Sequence, residues 1–335
     1  MCGIAGLHLR DESLAPQLGA LLQSMLRQAA ERGTDAAGVG IYGDAVLNPA
    51  GRSTVCVIDS PVSPADAAAL VDSALWDSAL LDSALLDSAL LDSALLDSAG
   101  PGPGPGPGGG GGGGVVQARG AGQTTVFTAP VPPGLLAATV ASVLPGAVLT
   151  SRGNSLAVMK GTGHPDDLAA AFRLGEASGY QGVAHTRMAT ESAVTSTGSH
   201  PYSVGPDQCM VHNGSFANHA TIRRELMAEG ITFDSENDTE VGARFVARQL
   251  ADGADVDKAL RLLCERFDGF YTLLVATENS FAVVRDAIAC KPAIIAETDR
   301  WVAMASEYRY LTGLPGVESA RIFEPEPEVV YSWER

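Results

Sequence analysis

An apolar run opens this chain at its third residue. Gly3 to His8 reads as a β-strand, so Cys2 stands at the very beginning of a strand. The small side chain at position 2 favours removal of Met1, which leaves a thiol and a free α-amino group on one residue. The reactive form of the thiol is the thiolate, with an ordinary pKa of about 8.5; the α-amino group titrates at about 7.7–8.0. Near neutral pH much of that amine is unprotonated and can accept a proton. Cys2 therefore combines a nucleophile with its own base, where most nucleophiles borrow a base from elsewhere in the fold.

The remaining periodicities describe alternating helices and short strands. Leu18, Leu21, Leu22, Met25, Leu26 and Ala29 recur at helical spacing, with Gly33 placed to cap the helix C-terminus. Val39 to Tyr42 reads as a strand. Helices are expected over 166–178, 217–229, 238–251 and 255–266. Strands are expected over 182–185, 209–212, 270–276, 281–285, 293–297 and 302–305. Several neighbouring strands have links short enough for hairpins, which points to an antiparallel α+β arrangement.

One stretch resists this pattern. Leu-Leu-Asp-Ser-Ala repeats four times unchanged from Leu80 to Ala99, after two looser copies from Leu70 to Ala79. A five-residue period turns about 140° per copy on a helix, so no fixed apolar stripe forms. Being odd, it also swaps faces at every copy in a strand. Pro-Gly repeats and the glycines Gly108 to Gly114 follow, and they cannot build a packed core. Residues 69–114 read as a disordered low-complexity insertion within one domain spanning 1–335.

Composition narrows the function classes. The chain is 46% apolar, enough for a sizeable core, and its net charge of −17 disfavours nucleic acid and anionic membrane surfaces as partners. Five cysteines, an odd number without CxxC spacing, suit a reducing, cytoplasmic compartment better than a disulfide framework or a zinc site. Cys56, Cys209, Cys264 and Cys290 are expected to be buried thiols. No run of about 18 apolar residues provides a membrane span, and the first residues lack a signal-peptide core. The histidines show no metal-ligand spacing. Without a phosphate loop or a dinucleotide fingerprint, no cofactor is expected in this chain.

Five strings then occur in order: Cys2-Gly3-Ile4-Ala5-Gly6, Arg32-Gly33-Thr34-Asp35-Ala36-Ala37-Gly38, His185-Thr186-Arg187-Met188-Ala189-Thr190, His212-Asn213-Gly214 and Asn237-Asp238-Thr239-Glu240. Together they resemble the class II glutamine amidotransferases, a branch of the N-terminal-nucleophile hydrolases. Phe267-Asp268-Gly269, Arg285-Asp286 and Ala305-Ser306-Glu307 extend the resemblance towards the C-terminus. Ser151-Arg152-Gly153-Asn154-Ser155, Met159-Lys160-Gly161 and Ala287-Ile288-Ala289-Cys290-Lys291-Pro292 look most like the amidotransferase subunit of glutamate-synthase-like complexes, including N-methylglutamate synthase.

The resemblance implies a four-layer αββα sandwich of antiparallel sheets and hydrolysis of L-glutamine through a Cys2 thioester. It places the Asn213 side chain and the Gly214 backbone N–H at the oxyanion. Arg187 would grip the substrate α-carboxylate, with Thr190 and His200 nearby, and Asp238 would accept the α-ammonium. Arg32 would brace the loop around the nucleophile. A flavin-dependent glutamate-synthase-like partner would consume the ammonia. Each assignment has a purely structural counterpart. Asn213-Gly214 is also a strong hairpin-turn signal, Arg187 could form an internal ion pair, Asp238 could cap a helix, and Arg32 could be a helix C-terminal charge. Met188 stands where many members carry Trp, and Glu191 where some carry His; both bear on specificity and coupling. Two other functions stay open at this point: a free-standing N-terminal-nucleophile amidase acting on a different amide, and a non-catalytic regulatory subunit of the same fold. The Arg187–Asp238 pair fits a free α-amino acid and suits a longer amide poorly. Intact Cys2, Asn213 and Gly214 argue against the regulatory role.

Overall fold

The computed structural model describes residues 2–75, 115–188 and 194–335. The repeat and Gly/Pro tract over 76–114 lie outside the described residues, as does Thr190. Among the described residues the strands form three sheets, with every pairing antiparallel.

The largest sheet has seven strands. In chain order they are β1 (Gly3–Leu9), β2 (Ala36–Tyr42), β7 (Leu156–Thr162), β8 (Gln181–Arg187), β12 (Ile294–Glu297), β13 (Trp301–Ala305) and β14 (Arg321–Phe323). Their spatial order is β14-β12-β13-β1-β8-β2-β7, which puts β1 in the middle. A second sheet runs β15-β11-β10-β9, from β15 (Tyr331–Glu334), β11 (Ser280–Arg285), β10 (Gly269–Thr277) and β9 (Gln208–Phe216).

These two sheets face each other across an apolar layer that includes Ile4, Val183, Val211, Leu274, Val283 and Val302. Helix α1 (Leu18–Ala29) covers the outer face of the seven-stranded sheet. Leu18, Leu22, Met25, Leu26 and Ala29 are buried there, and each leucine contributes roughly 1.5–3 kcal/mol. The outer face of the second sheet carries α5 (His219–Ala228), α6 (Asp238–Ala251) and α7 (Val256–Arg266) through Ile222, Val241, Val246, Leu260 and Leu263. The layers are therefore helix, sheet, sheet, helix, the expected αββα sandwich. Because β1 is covered on both faces, its sequence is a continuous apolar run and shows no alternation.

A third sheet adds to this frame. It has the order β4-β5-β3-β6, from β3 (Ser53–Ile58), β4 (Gln117–Ala121), β5 (Thr124–Ala129) and β6 (Val148–Gly153). Its core forms against α2 (Pro64–Leu75) and α3 (Pro133–Val143), with Val55, Val71, Leu75, Phe127, Leu136 and Val140 buried. This corrects the expected insertion boundary. Residues 69–75 belong to the packed end of α2, because Val71 and Leu75 reach the core and Asp72 Oδ1 accepts the Val116 N–H at 2.8 Å. The helix over 165–171, α4 (Pro165–Ala171), stops early and passes into a 3₁₀ turn over 174–176.

Candidate active site

The five strings converge because the strand registers bring them together. Gly3 pairs with Thr186 and Ile4 with His185, so Cys2 lies one step beyond that ladder, opposite Arg187. Arg187 is in turn paired with Ala36 of β2. The Gly3 N–H is taken by Thr186 Oγ1 at 3.2 Å. The carbonyl oxygen of Cys2 accepts from two side chains, Arg32 Nε at 3.0 Å and Asn213 Nδ2 at 3.2 Å. One comes from the turn after α1, the other from the facing sheet.

The Arg32–Gly38 segment joins Cys2 to Arg187. Helix α1 ends at Ala29 and tightens into a 3₁₀ turn over 30–32. Gly33 caps that turn, its N–H donating to Ala30 O at 3.1 Å, but in an extended conformation at φ −165° and not the left-handed one of a glycine helix cap. A side chain there is excluded because its Cβ would lie 2.5 Å from the carbonyl carbon of Arg187. Two residues on, the Asp35 N–H donates to Arg187 O at 3.1 Å. Arg187 itself is 8% exposed, and its Nη1 donates to Gly198 O at 3.0 Å. Lys160 Nζ donates to the next carbonyl, Ser199 O, at 2.9 Å. Burial lowers the Lys160 pKa to about 8. Two cations thus anchor the segment leading into His200.

Asn213 and Gly214 sit inside β9, opposite Thr272 and Tyr271 of β10. The turn that the dipeptide suggests in isolation is not formed. Pairing with β10 carries the strand on to Phe216, past the expected end at His212. Gly214 nevertheless adopts φ +144°, and a Cβ on it would lie 2.0 Å from Phe270 O. Position 214 accepts only glycine on both counts.

The Asn237–Glu240 string divides its work. Asn237 caps α6 by accepting the Thr239 N–H at 2.9 Å, so Asp238 is not the cap. Glu240 is buried and holds the Asp234 and Ser235 N–H groups at 2.8 and 2.7 Å. Asp238 is left facing β9. Its Oδ2 takes the Phe216 N–H at 2.8 Å and its Oδ1 lies 4.0 Å from His212 Nδ1.

His200 is placed behind this surface. Its ring centroid lies 4.1 Å from that of His185 and 6.4 Å from that of His212. Burial holds all three histidines well below their ordinary pKa: His185 at about 3, His200 lower than usual, and His212 at about 4, where Asp238 partly opposes the shift. They are neutral at physiological pH. No group of three or more His, Cys, Asp or Glu among the described residues is arranged to hold a metal ion.

Sequence reasoning did not assign Glu307, whose Oε1 takes Arg32 Nη1 at 2.6 Å, or Ser306, whose Oγ accepts the Ile4 N–H at 2.9 Å. The Ala305-Ser306-Glu307 string was the available signal. Cys56 and Cys209 are buried as expected, whereas Cys264 is only partly buried and Cys290 is exposed. No described helix is long and apolar enough to cross a membrane.

The two facing antiparallel sheets between helical layers make a four-layer αββα fold with Cys2 just ahead of its central strand. The solved glutamine phosphoribosylpyrophosphate amidotransferase of B. subtilis superposes with a TM-score of 0.55 at 15% identity, covering 99% of this chain and 49% of that one. The chain thus spans about half the length of that enzyme. A glutamine amidotransferase domain profile matches residues 185–313. The glutamine amidotransferase-like protein GlxB of Rhizobium meliloti (strain 1021) is 42% identical over 337 residues, covering 100% of this chain and 98% of that protein. The glutamine–fructose-6-phosphate aminotransferase of Idiomarina loihiensis is 33% identical over 130 residues, 39% of this chain and 21% of that protein. The chain belongs to the glutamine amidotransferase family.

Proposed function

We propose that this protein is the glutaminase subunit of a larger synthase: it hydrolyses L-glutamine through a Cys2 thioester and passes the ammonia to a partner. The observation that carries the reading is the convergence of Asn213 Nδ2 and Arg32 Nε on the Cys2 carbonyl, with Arg187 one strand away. The Cys2 α-amine takes the thiol proton, and the thiolate adds to the side-chain carboxamide carbon of glutamine. A carboxamide has two N–H donors. Asn213 spends one on Cys2 O and offers the other, beside the Gly214 N–H, to the developing oxyanion. One such donor is typically worth about 10²–10³ in rate. When the C–N bond breaks, the amine returns its proton to the departing ammonia. Water then adds to the thioester, releasing glutamate and the thiol. Arg187, with Thr190 and His200 in support, receives the substrate α-carboxylate, and Asp238 receives the α-ammonium.

The partner in this reading is a flavin-dependent, glutamate-synthase-like subunit, as the Ser151–Ser155, Met159–Gly161 and Ala287–Pro292 strings suggest. Ammonia becomes ammonium in water and loses its nucleophilicity, so a physical coupling to the consuming site is needed. The test has two arms. A glutamine-like electrophile should label Cys2 in protein whose Met1 has been removed, while exposed Cys290 reacts only with non-specific alkylators. A blocked N-terminus or Cys2→Ala should abolish glutamine hydrolysis. Co-expression with a candidate synthase subunit should then raise glutamine turnover when the acceptor is present. Full activity with a blocked N-terminus would refute the mechanism, and a lone chain already at full speed would refute the coupling.

A further inference from the structure

We propose that Glu307 is a positioning residue for the nucleophile: through Arg32 it fixes the Cys2 main chain and offsets the charge that Arg32 brings to the base. The proposal rests on the reading of Cys2 as nucleophile and base.

Cys2 precedes the first residue of β1, so the ladder that orders Gly3 onwards does not hold it. Its carbonyl is held by side chains, and one of them, Arg32, is itself held. Glu307 Oε1 takes Arg32 Nη1 at 2.6 Å, and its other oxygen lies 2.7 Å from Arg309 Nε. Arg309 also pairs with Glu31, the neighbour of Arg32. The result is a chain of ion pairs from Arg32 through Glu307 and Arg309 to Glu31, with Arg32 Nε reaching out to Cys2 O at 3.0 Å. The Arg32 side chain is only 10% exposed, so little solvent screens it.

Glu307 is also built into register. Ile4 N donates to Ser306 Oγ at 2.9 Å and Ser306 N donates to Ile4 O at 3.0 Å, so the residue before Glu307 is locked to the nucleophile strand. Burial opposes the Glu307 charge, but Arg32 and Arg309 hold its carboxyl below the usual range, so it is an anion at neutral pH.

Two consequences follow from this placement. Rotation of Cys2 would move thiol and amine together, and a displacement of about 1 Å in a reacting group costs on the order of 10²-fold in rate. The electrostatic consequence concerns the base. A guanidinium one residue's span from the amine disfavours its protonated form, and a carboxylate on that guanidinium restores it. The strand register also brings Arg187, at the end of β8, opposite Cys2, and Asp238 and Lys291 lie close to His212 of β9 in the facing sheet. The Tyr310 hydroxyl is buried, and burial raises its pKa beyond the working range. These groups are common to wild type and variants, so a change at Glu307 reads out the Arg32–Glu307–Arg309 ion pairs alone.

The experiment measures kcat and KM for glutamine against pH in the full chain with a native Cys2 terminus. E307Q keeps the length and an acceptor but removes the charge. Its acid limb, which reports the neutral amine, should move down by about half a pH unit to one unit. KM should stay within about twofold while kcat falls. E307D should keep the limb at the wild-type pH. R309Q alters a partly exposed residue and removes a cation from this chain of ion pairs, so its limb should move the opposite way, upwards. R309Q keeps the test decisive if E307Q fails to fold. Limbs of folded variants that coincide with wild type, or a loss confined to KM, would overturn the role of Glu307. A wild type that neither hydrolyses glutamine nor labels at Cys2 would instead overturn the reading of the site.

Discussion

Asn213 Nδ2 and the carbonyl oxygen of Cys2 are 3.2 Å apart, although 211 positions separate the two residues. The bond crosses from the four-stranded sheet to the first residue ahead of the central strand of the seven-stranded sheet. It makes the start of β1 depend on the packing of both sheets. In the proposed mechanism, removing the carboxamide therefore acts on the placement of Cys2 and on the oxyanion at once. Asn213→Ala is expected to lower kcat by 10²-fold or more, with a smaller change in KM. Steady-state kinetics at saturating glutamine check this, and an unchanged kcat would refute it.

The substrate clamp gives a second expectation. Arg187→Lys keeps the charge but loses the planar fork. Glutamine binding should weaken by about 1–3 kcal/mol, the scale of a hydrogen bond to a charged group. Asp238→Asn should weaken binding by a similar amount. Binding isotherms on a Cys2→Ala background measure both. Because Arg187 also holds Gly198 O, a melting curve must accompany the measurement. Wild-type affinity in both folded variants would refute the clamp.

The low-complexity stretch can be removed at two boundaries with different outcomes. Joining Leu75 to Val115 through a short linker should leave stability near wild type, since each doubling of loop length costs only about 0.6 kcal/mol. The Asp72–Val116 hydrogen bond already brings the two ends together. Joining Ala68 to Val115 instead removes buried Val71 and Leu75 and should cost about 3 kcal/mol or more. Equal melting temperatures for the two deletions would contradict the packing of α2.

The histidine cluster predicts acid sensitivity. His185, His200 and His212 are neutral in the folded state, with His185 and His212 depressed to about 3 and about 4, whereas unfolded histidine titrates near 6.5. Below pH 6.5 the unfolded chain binds protons that the folded chain excludes, so stability falls as pH drops from 6.5 towards 4. Each histidine contributes a slope approaching about 1.4 kcal/mol per pH unit. His185 has both ring nitrogens buried without a hydrogen-bond partner, so His185→Phe should flatten the dependence. Urea titrations between pH 7 and 4 measure it, and an unaltered slope would refute the assignment.

Local pattern and cap chemistry were enough to determine several elements in advance. Helix α6 runs over Asp238–Ala251 as its apolar spacing indicates, with Asn237 and not Asp238 as its cap. The four strands β10 to β13 fall within a residue of their apolar runs, whereas β14 and β15, short and largely exposed, have no such run and were not expected. The five strings were legible as a group because their order along the chain resembles that of the class II glutamine amidotransferases.

Tertiary structure alone decided the rest. Asn213-Gly214 is a turn signal in isolation, yet nine-residue pairing with β10 made it part of a strand. Gly33 reads as a helix cap, but its lack of a side chain serves the approach of Arg187. The third sheet escaped the reading because its strands are separated in the chain by the very stretch that interrupts the pattern. The partner of Arg32 is Glu307, 275 positions away. A contact at that separation is set by which strands lie side by side, and the order β13-β1-β8 leaves no periodicity in the residues themselves.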